Sequence, residues 1–366
     1  MAYLPLSTAN LPDPAIDPAQ GSSPEDYFDI LTYTGDGQTS QEIDGLSFTP
    51  DFLWIKERND SASHQLHDVL RTAGTALFSN LTNAEITSST YVQSFDSDGF
   101  TVGDSGGTNE LNKTYVGWNW KANGSGVSNT DGTITSTVSA NTDSGFSIVS
   151  YAGNSVAGAT VGHGLGVTPD MIIVKSRTAT AGYLNWGVYH KDLGATKAIY
   201  LNTTGGASTA SGPWNNTAPT SSVFSLGNDG GYGFGISGQN YIAYCFSEVD
   251  GFSKFGSYTG NGSTDGPFVY TGFRPAFVMV KGSTFTSNWN LVDDARNTFN
   301  ITDNILRPNL PNVEIDGSAQ GANSLIFDFL SNGFKLRYST GDINSSGQTF
   351  IYMAFAENPF KYSNAR

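Results

Sequence analysis

The sequence predicts an all-β fold of three tandem antiparallel β-sandwich-like modules behind an extended, Pro-rich N-terminal arm. Three observations carry this. Glycine is abundant, 43 of 366 residues, and Ser, Thr and Asn are frequent, which favours many turns and short strands. No amphipathic pattern of period 3.6 persists for three turns. One order of features also occurs three times, in units far longer than solenoid repeats.

The arm, residues 1–27, holds Pro5, Pro12, Pro14, Pro18 and Pro24, and no Lys or Arg precedes Lys56. Such a segment favours an extended path and cannot form a central strand. It is either a frayed end or an arm that orders against another protein or a neighbouring protomer. The start lacks the basic residues and apolar run of a signal peptide, so no export signal is expected.

Module 1 (residues 28–122) opens at Tyr33-Thr-Gly35, continues through Pro50-Asp-Phe-Leu-Trp-Ile-Lys56, and closes at Tyr115-Val-Gly-Trp-Asn-Trp120. Module 2 (123–249) opens at Tyr151-Ala-Gly153, continues through Pro169-Asp-Met-Ile-Ile-Val-Lys175, and closes at Tyr241-Ile-Ala-Tyr-Cys-Phe246. Module 3 (250–366) opens at Tyr258-Thr-Gly260, continues through Pro275-Ala-Phe-Val-Met-Val-Lys281, and closes at Phe350-Ile-Tyr-Met-Ala-Phe355. In each middle run, Pro suits the first residue of a strand and the final Lys reads as solvated. The closing runs are apolar at nearly every position, so both faces should be covered. Asp98-Gly99 and Asn332-Gly333 mark hairpins. Residues 122–132 read as a flexible linker, whereas the short join near Asp250-Gly251 should pack modules 2 and 3 rigidly.

Composition excludes several classes. The net charge of -15 disfavours nucleic-acid binding, which needs a basic footprint. No apolar stretch is long enough to span a membrane. The single cysteine, Cys245, excludes an intrachain disulfide and thiolate-cluster metal sites, and reads as a buried small hydrophobe.

Gly233-Phe-Gly-Ile-Ser-Gly238 matches a dinucleotide-binding pattern, but a strand follows it where a helix is required, so it reads as a Gly-rich hairpin. No P-loop or nucleophile elbow occurs. His64 and His67 have ligand-like spacing, but His64 aligns with Trp186 and Trp289 of the other modules and no Cys is near. Asp96, Asp98 and Asp229 offer hard oxygens for Ca²⁺, although turn chemistry explains them equally well. No catalytic, cofactor or metal residue is therefore assigned. Asp68 and Arg71 align with Asp293 and Arg296, where module 2 has His190 and Leu193, and the recurring pairs read as bidentate structural ion pairs. Trp214, in the module-specific insertion from about Leu201 to Ser222, either folds back over its own sheet or offers a stacking face. With Asn215, Asn216 and Tyr183 it forms the candidate host-contact set. Trp186 and Tyr189 raise the same question.

The run Tyr258-Thr-Gly-Asn-Gly-Ser-Thr-Asp-Gly-Pro-Phe268 and Gly272-Phe-Arg-Pro-Ala-Phe-Val-Met-Val-Lys281 resembles a repeated domain, without assigned function, of bacteriophage virion proteins. These come chiefly from marine phages and are commonly described as tail or tail-fibre proteins. Asp293-Asp-Ala-Arg296, Asp328-Phe-Leu-Ser-Asn-Gly-Phe-Lys335 and Ala354-Phe-Ala-Glu-Asn-Pro-Phe-Lys-Tyr362 match as well. The resemblance covers nearly everything from residue 28 onward and is strongest in module 3. It implies a virion protein made in the host cytoplasm and released by lysis. It also implies a homo-oligomer, a trimer by analogy with similar fibres. The expectation is thus a non-enzymatic tail-fibre or adsorption protein, held to other virion proteins by residues 1–27 and reading a host-surface glycan. The alternatives are a capsid decoration or head-fibre protein, and a virion-associated polysaccharide-degrading enzyme.

Overall fold

The computed structural model describes residues 11–178, 184–227, 234–317, 327–339 and 341–363. Each module is a sandwich of a large and a small antiparallel sheet. In every large sheet the closing strand lies between the opening and middle strands. Thr114–Trp120 is flanked by Phe28–Thr34 and Phe52–Glu57, Asn240–Phe246 by Phe146–Ala152 and Met171–Ser176, and Thr349–Pro359 by Ser253–Thr259 and Phe273–Gly282. This central place accounts for the apolar closing runs. One face packs on the module's small sheet and the other on a core shared by all three modules. Trp118, Trp120, Tyr244, Phe246, Met353 and Phe355 meet in that shared core, while Tyr115, Tyr241 and Phe350 face the separate cores inside each sandwich.

The repeat motif has a local cause. Tyr33, Tyr151 and Tyr258 each stack on the first aromatic of their own closing strand, Tyr115, Tyr241 and Phe350, at 5.0, 5.2 and 5.0 Å between ring centroids. Their hydroxyls donate to the carbonyls of Thr108, Phe234 and Ile343. The glycine two residues on is required by close approach. A Cβ at Gly35, Gly153 or Gly260 would lie 2.2–2.3 Å from the Glu110, Ile236 or Ser345 carbonyl oxygen.

The hairpins at Asp98-Gly99 and Asn332-Gly333 form, with Asp96 opposite Gly99 and Leu330 opposite Gly333. These glycines begin the returning strand and are demanded by the next strand across. A Cβ at Gly99 would sit 1.9 Å from Ile43 O, and one at Gly333 2.1 Å from Val269 O.

Three expectations are corrected. The segment expected as a flexible linker is tied down. Asp51 accepts from the amides of Ala122 and Gly124 at 2.7 and 3.1 Å, and Val127–Asn129 pairs with Ser136–Asn141. The arm, over residues 11–27, is not a frayed end but docks on its own chain. Ala15 N donates to Asp250 O, Ile16 is buried in the shared core, and Tyr362 Oη donates to Asp17 at 2.5 Å. Finally, Lys56, Lys175 and Lys281 are all fully buried. Their ammonium groups find backbone carbonyls: Lys56 donates to Glu57 O and Asp60 O of its own module, while across two seams Lys175 donates to Thr82 O of module 1 and Lys281 to Thr204 O of module 2.

These seams close a ring. The backbone pairs Glu85 N to Arg177 O, Ala207 N to Ser283 O, and Glu314 N to Arg58 O join module 1 to 2, 2 to 3, and 3 to 1. Indoles repeat the cycle: Trp186 Nε1 donates to Phe78 O and Trp289 Nε1 to Tyr200 O. His64 takes the equivalent place in module 1. Its Nδ1 accepts from Trp54 Nε1 at 2.9 Å, so its Nε2 carries the proton. That Nε2 has no hydrogen bond of acceptable geometry, although the Arg307 backbone lies beside the ring. The cyclic order makes the three modules one threefold-like body with a common core.

Candidate functional site

Two buried Asp–Arg pairs stand at the seams. Asp68 Oδ2 accepts from Arg71 Nε at 2.6 Å and from Tyr244 Oη at 2.7 Å, while Arg71 Nη2 reaches Leu66 O. Asp293 Oδ2 accepts from Arg296 Nε at 2.7 Å and from Trp118 Nε1 at 2.9 Å. Neither pair is the bidentate fork expected from sequence, because the second guanidinium nitrogen turns to backbone. The forks lie elsewhere, at Arg58–Glu314 and Arg177–Glu85, each with two bonds of 2.8–2.9 Å across a seam. Arg58 and Arg177 each stand two residues beyond a middle-strand Lys, a spacing that sequence analysis passed over. The third seam has Ser283 and Ala207 in those places.

Two carboxyl groups are strongly perturbed, the mark of acid–base candidates. Burial raises Asp294 to about 7, helped by neighbouring Asp293 and opposed by Arg274. Burial raises Asp29 to about 6 against the Ile30 amide. Both stand where modules 1 and 3 meet, and Arg274 takes Asp294 at 3.3 Å together with Glu357. All four histidines are pushed down, chiefly by burial. His67 lies within the strand Gln65–Asp68, and its Nε2 is 3.2 Å from Gln65 Oε1. Among the described residues no group of three His, Cys, Asp or Glu could hold a metal ion. Asp96 accepts instead from Thr101 Oγ1, and Asp229 lies outside the described residues. Cys245 is buried and free.

The candidate contact set divides. Trp214 is 1% exposed, wedged against Tyr189 and Phe234 with centroids 5.7 and 5.6 Å away. Its ring therefore offers no stacking face, which corrects that expectation: the polar loop folds its one large aromatic into the module 2 core. Asn215 and Asn216 follow on the loop at φ 51 and 50°, the first half-buried and the second exposed. Tyr183 lies outside the described residues. Trp186 and Tyr189 are buried.

Exposed aromatics occur instead on module 3. The edge strand of its small sheet, Phe268–Tyr270, turns Val269 into the core and leaves Phe268 44% and Tyr270 58% exposed. Side chains two apart on a strand share a face. Both rings rest on glycine. A Cβ at Gly333 would fall 3.0 Å from the Phe268 ring, and one at Gly272 3.6 Å from the Tyr270 hydroxyl. Lys335, opposite Phe268 in the ladder, is paired with Asp265 at 2.6 Å. Beside Tyr270 lies a hollow of ≈ 160 Å³ lined by Pro12, Pro14, Gly272 and Lys361. The same register positions hold Glu42 and Asp44 in module 1, and Thr160 and Gly162 in module 2. In module 2 a further chain segment covers that edge, with Ile134 N donating to Thr160 O. The pair is not legible in the sequence, because Phe-Val-Tyr reads as an ordinary strand and only module-by-module register shows that its outward positions are aromatic in one module alone.

Fold and surface together define an all-β protein built as a ring of three sandwiches, carrying one aromatic ledge. A domain family described as a domain of unknown function (DUF7483) matches residues 23–359. The chain belongs to that family, and the match spans all three modules together. No curated protein matches the chain.

Proposed function

We propose that this protein is a non-enzymatic structural component of a bacteriophage particle, in the tail-fibre or adsorption apparatus, where it contributes to host-surface recognition. The observation that carries the reading is the closed ring. Buried lysines, indoles and ion pairs that could serve chemistry are spent on holding three divergent modules in fixed orientation, as a rigid carrier of surface contacts requires. The resemblance of Tyr258–Lys281 and of the C-terminal run to phage virion repeats supports the setting. Labelling intact particles with an antibody against the folded protein tests it. Label at the tail supports the reading, label on the head favours a decoration protein, and particles without label overturn it. Release of reducing ends from host envelope polysaccharide by the pure protein would instead favour a degrading enzyme.

A further inference from the structure

We propose that Phe268 and Tyr270 form a saccharide-stacking ledge for an uncharged polysaccharide, an inference that rests on the host-recognition reading and gives it a site. The three modules supply an internal control. Three modules fold on one plan, yet these two positions are acidic in module 1, Thr160 and Gly162 in module 2, and aromatic only in module 3. The fold therefore does not require aromatics here, and exposing two large rings on one face opposes solubility unless something covers them.

The geometry selects the occupant. A peptide strand added to this edge would find three residues preceded by Pro267, and short edges flanked by Pro are poor templates for strand addition. A second copy of the chain would need ~1,200–2,000 Å² of buried surface for a stable interface. Two side chains on a polar sheet face are far short of that. An ionic ligand would need a free charge, but the cations at the ledge are already matched: Lys335 by Asp265, and Lys361 by Asp13. What remains is two stacking faces, backed by glycine, beside the largely exposed Asp265 carboxylate (82%). A pyranose ring presents apolar C–H groups on its face and hydroxyls at its rim, which fits an aromatic face bordered by paired charges.

The test is native affinity electrophoresis of the full chain through gels containing laminarin, mannan or a neutral galactan. The wild-type protein should be retarded in at least one gel. Phe268→Ala with Tyr270→Ala should weaken that retardation tenfold or more without changing the thermal midpoint, whereas Tyr270→Phe, which keeps the ring, and Glu42→Ala, at the matching place in module 1, should retain it. Absence of retardation in all three gels, or equal retardation of the double variant, overturns the inference. So does a smaller hydrodynamic mass of the double variant, since a second copy would then be the occupant. Particle labelling is read separately. Labelled tails with a silent ledge sink this inference alone, and a saccharide-binding chain missing from particles sinks the virion reading alone.

Discussion

Trp118 of module 1 donates its indole N–H to Asp293 of module 3 at 2.9 Å, and the cation of Arg296 lies 5.7 Å from the same ring. The equivalent place on the module 2 closing strand is Tyr244, which donates to Asp68 of module 1. In module 3 it is Met353, which has no donor. There the opposing Asp and Arg are replaced by His190 and Leu193, and His190 Nε2 reaches the Tyr352 carbonyl at 3.2 Å. An Asp-Arg pair thus stands wherever the neighbouring module supplies an N–H or O–H, and is absent where it supplies a thioether. A buried carboxylate without that donor would carry an unmet desolvation cost.

The pairing should therefore show in a mutant cycle. Trp118→Phe and Tyr244→Phe should each cost about 2 kcal/mol in chemical denaturation, the scale of a hydrogen bond to a buried charge. Tyr244→Met should cost more in the native background than in one already carrying Asp68→His and Arg71→Leu, the module 2 combination. Strict additivity of the three changes would show that the two sides of the seam are uncoupled.

Much of this architecture was legible. The recurring Tyr-x-Gly, the Asp-Gly and Asn-Gly turns, and the alignment of His64 with Trp186 and Trp289 all reported local structure, and local structure repeats. The ring closure was not legible, because its acceptors are the main-chain carbonyls of Phe78, Tyr200, Thr82 and Thr204, and carbonyls leave no mark in a side-chain pattern. The same gap explains the lysines. A Lys ending an apolar strand looks solvated, yet Lys175 and Lys281 each meet a carbonyl that a neighbouring module brings. Trp214 misled for a related reason: its sequence neighbours are polar, while its packing partners Tyr189 and Phe234 lie elsewhere in the chain.

A shared core implies shared unfolding. Rings from the three modules interlock there, with Phe28, Phe246 and Phe277 at 4.9, 6.1 and 6.0 Å from Phe355. Calorimetry should give one cooperative transition. Ending the chain after Val249 removes Phe277, Met279 and Phe355 and should leave an aggregating product. Three resolved transitions, or a soluble two-module fragment with native near-ultraviolet signals, would show that the modules are independent.

Trp214→Ala should destabilise the protein by about 3–5 kcal/mol, the range for emptying a buried aromatic site. The loss should appear in the denaturation midpoint, with saccharide retardation at the module 3 ledge unchanged once the variant is folded. An unaltered midpoint would place the indole at the surface.

Alkaline pH supplies the most distinctive signature, because burial lowers Lys56, Lys175 and Lys281 from 10.5 to about 8. Below pH 8 these groups are charged in both folded and unfolded chains, and the fold bears the cost of three buried ammoniums. Between about 8 and 10.5 the folded chain releases protons that the unfolded chain keeps, so stability rises with pH. At full development this is on the order of 3 kcal/mol per lysine. The opposing groups titrate later. Burial raises the Cys245 thiol above 9.0, and the hydroxyls of Tyr33, Tyr151, Tyr244 and Tyr258 well above 10.0. These ionise first in the unfolded chain, and stability falls through their unfolded values. The melting temperature should therefore climb from pH 7.5 to a maximum between about 9 and 10, then decline. Lys175→Met should remove roughly a third of the climb, since the remaining lysines lie at separate seams and contribute additively. A melting temperature that is flat or falls steadily from pH 7.5 to 9.5 would mean that the ammoniums are hydrated in solution and the seams are open to water.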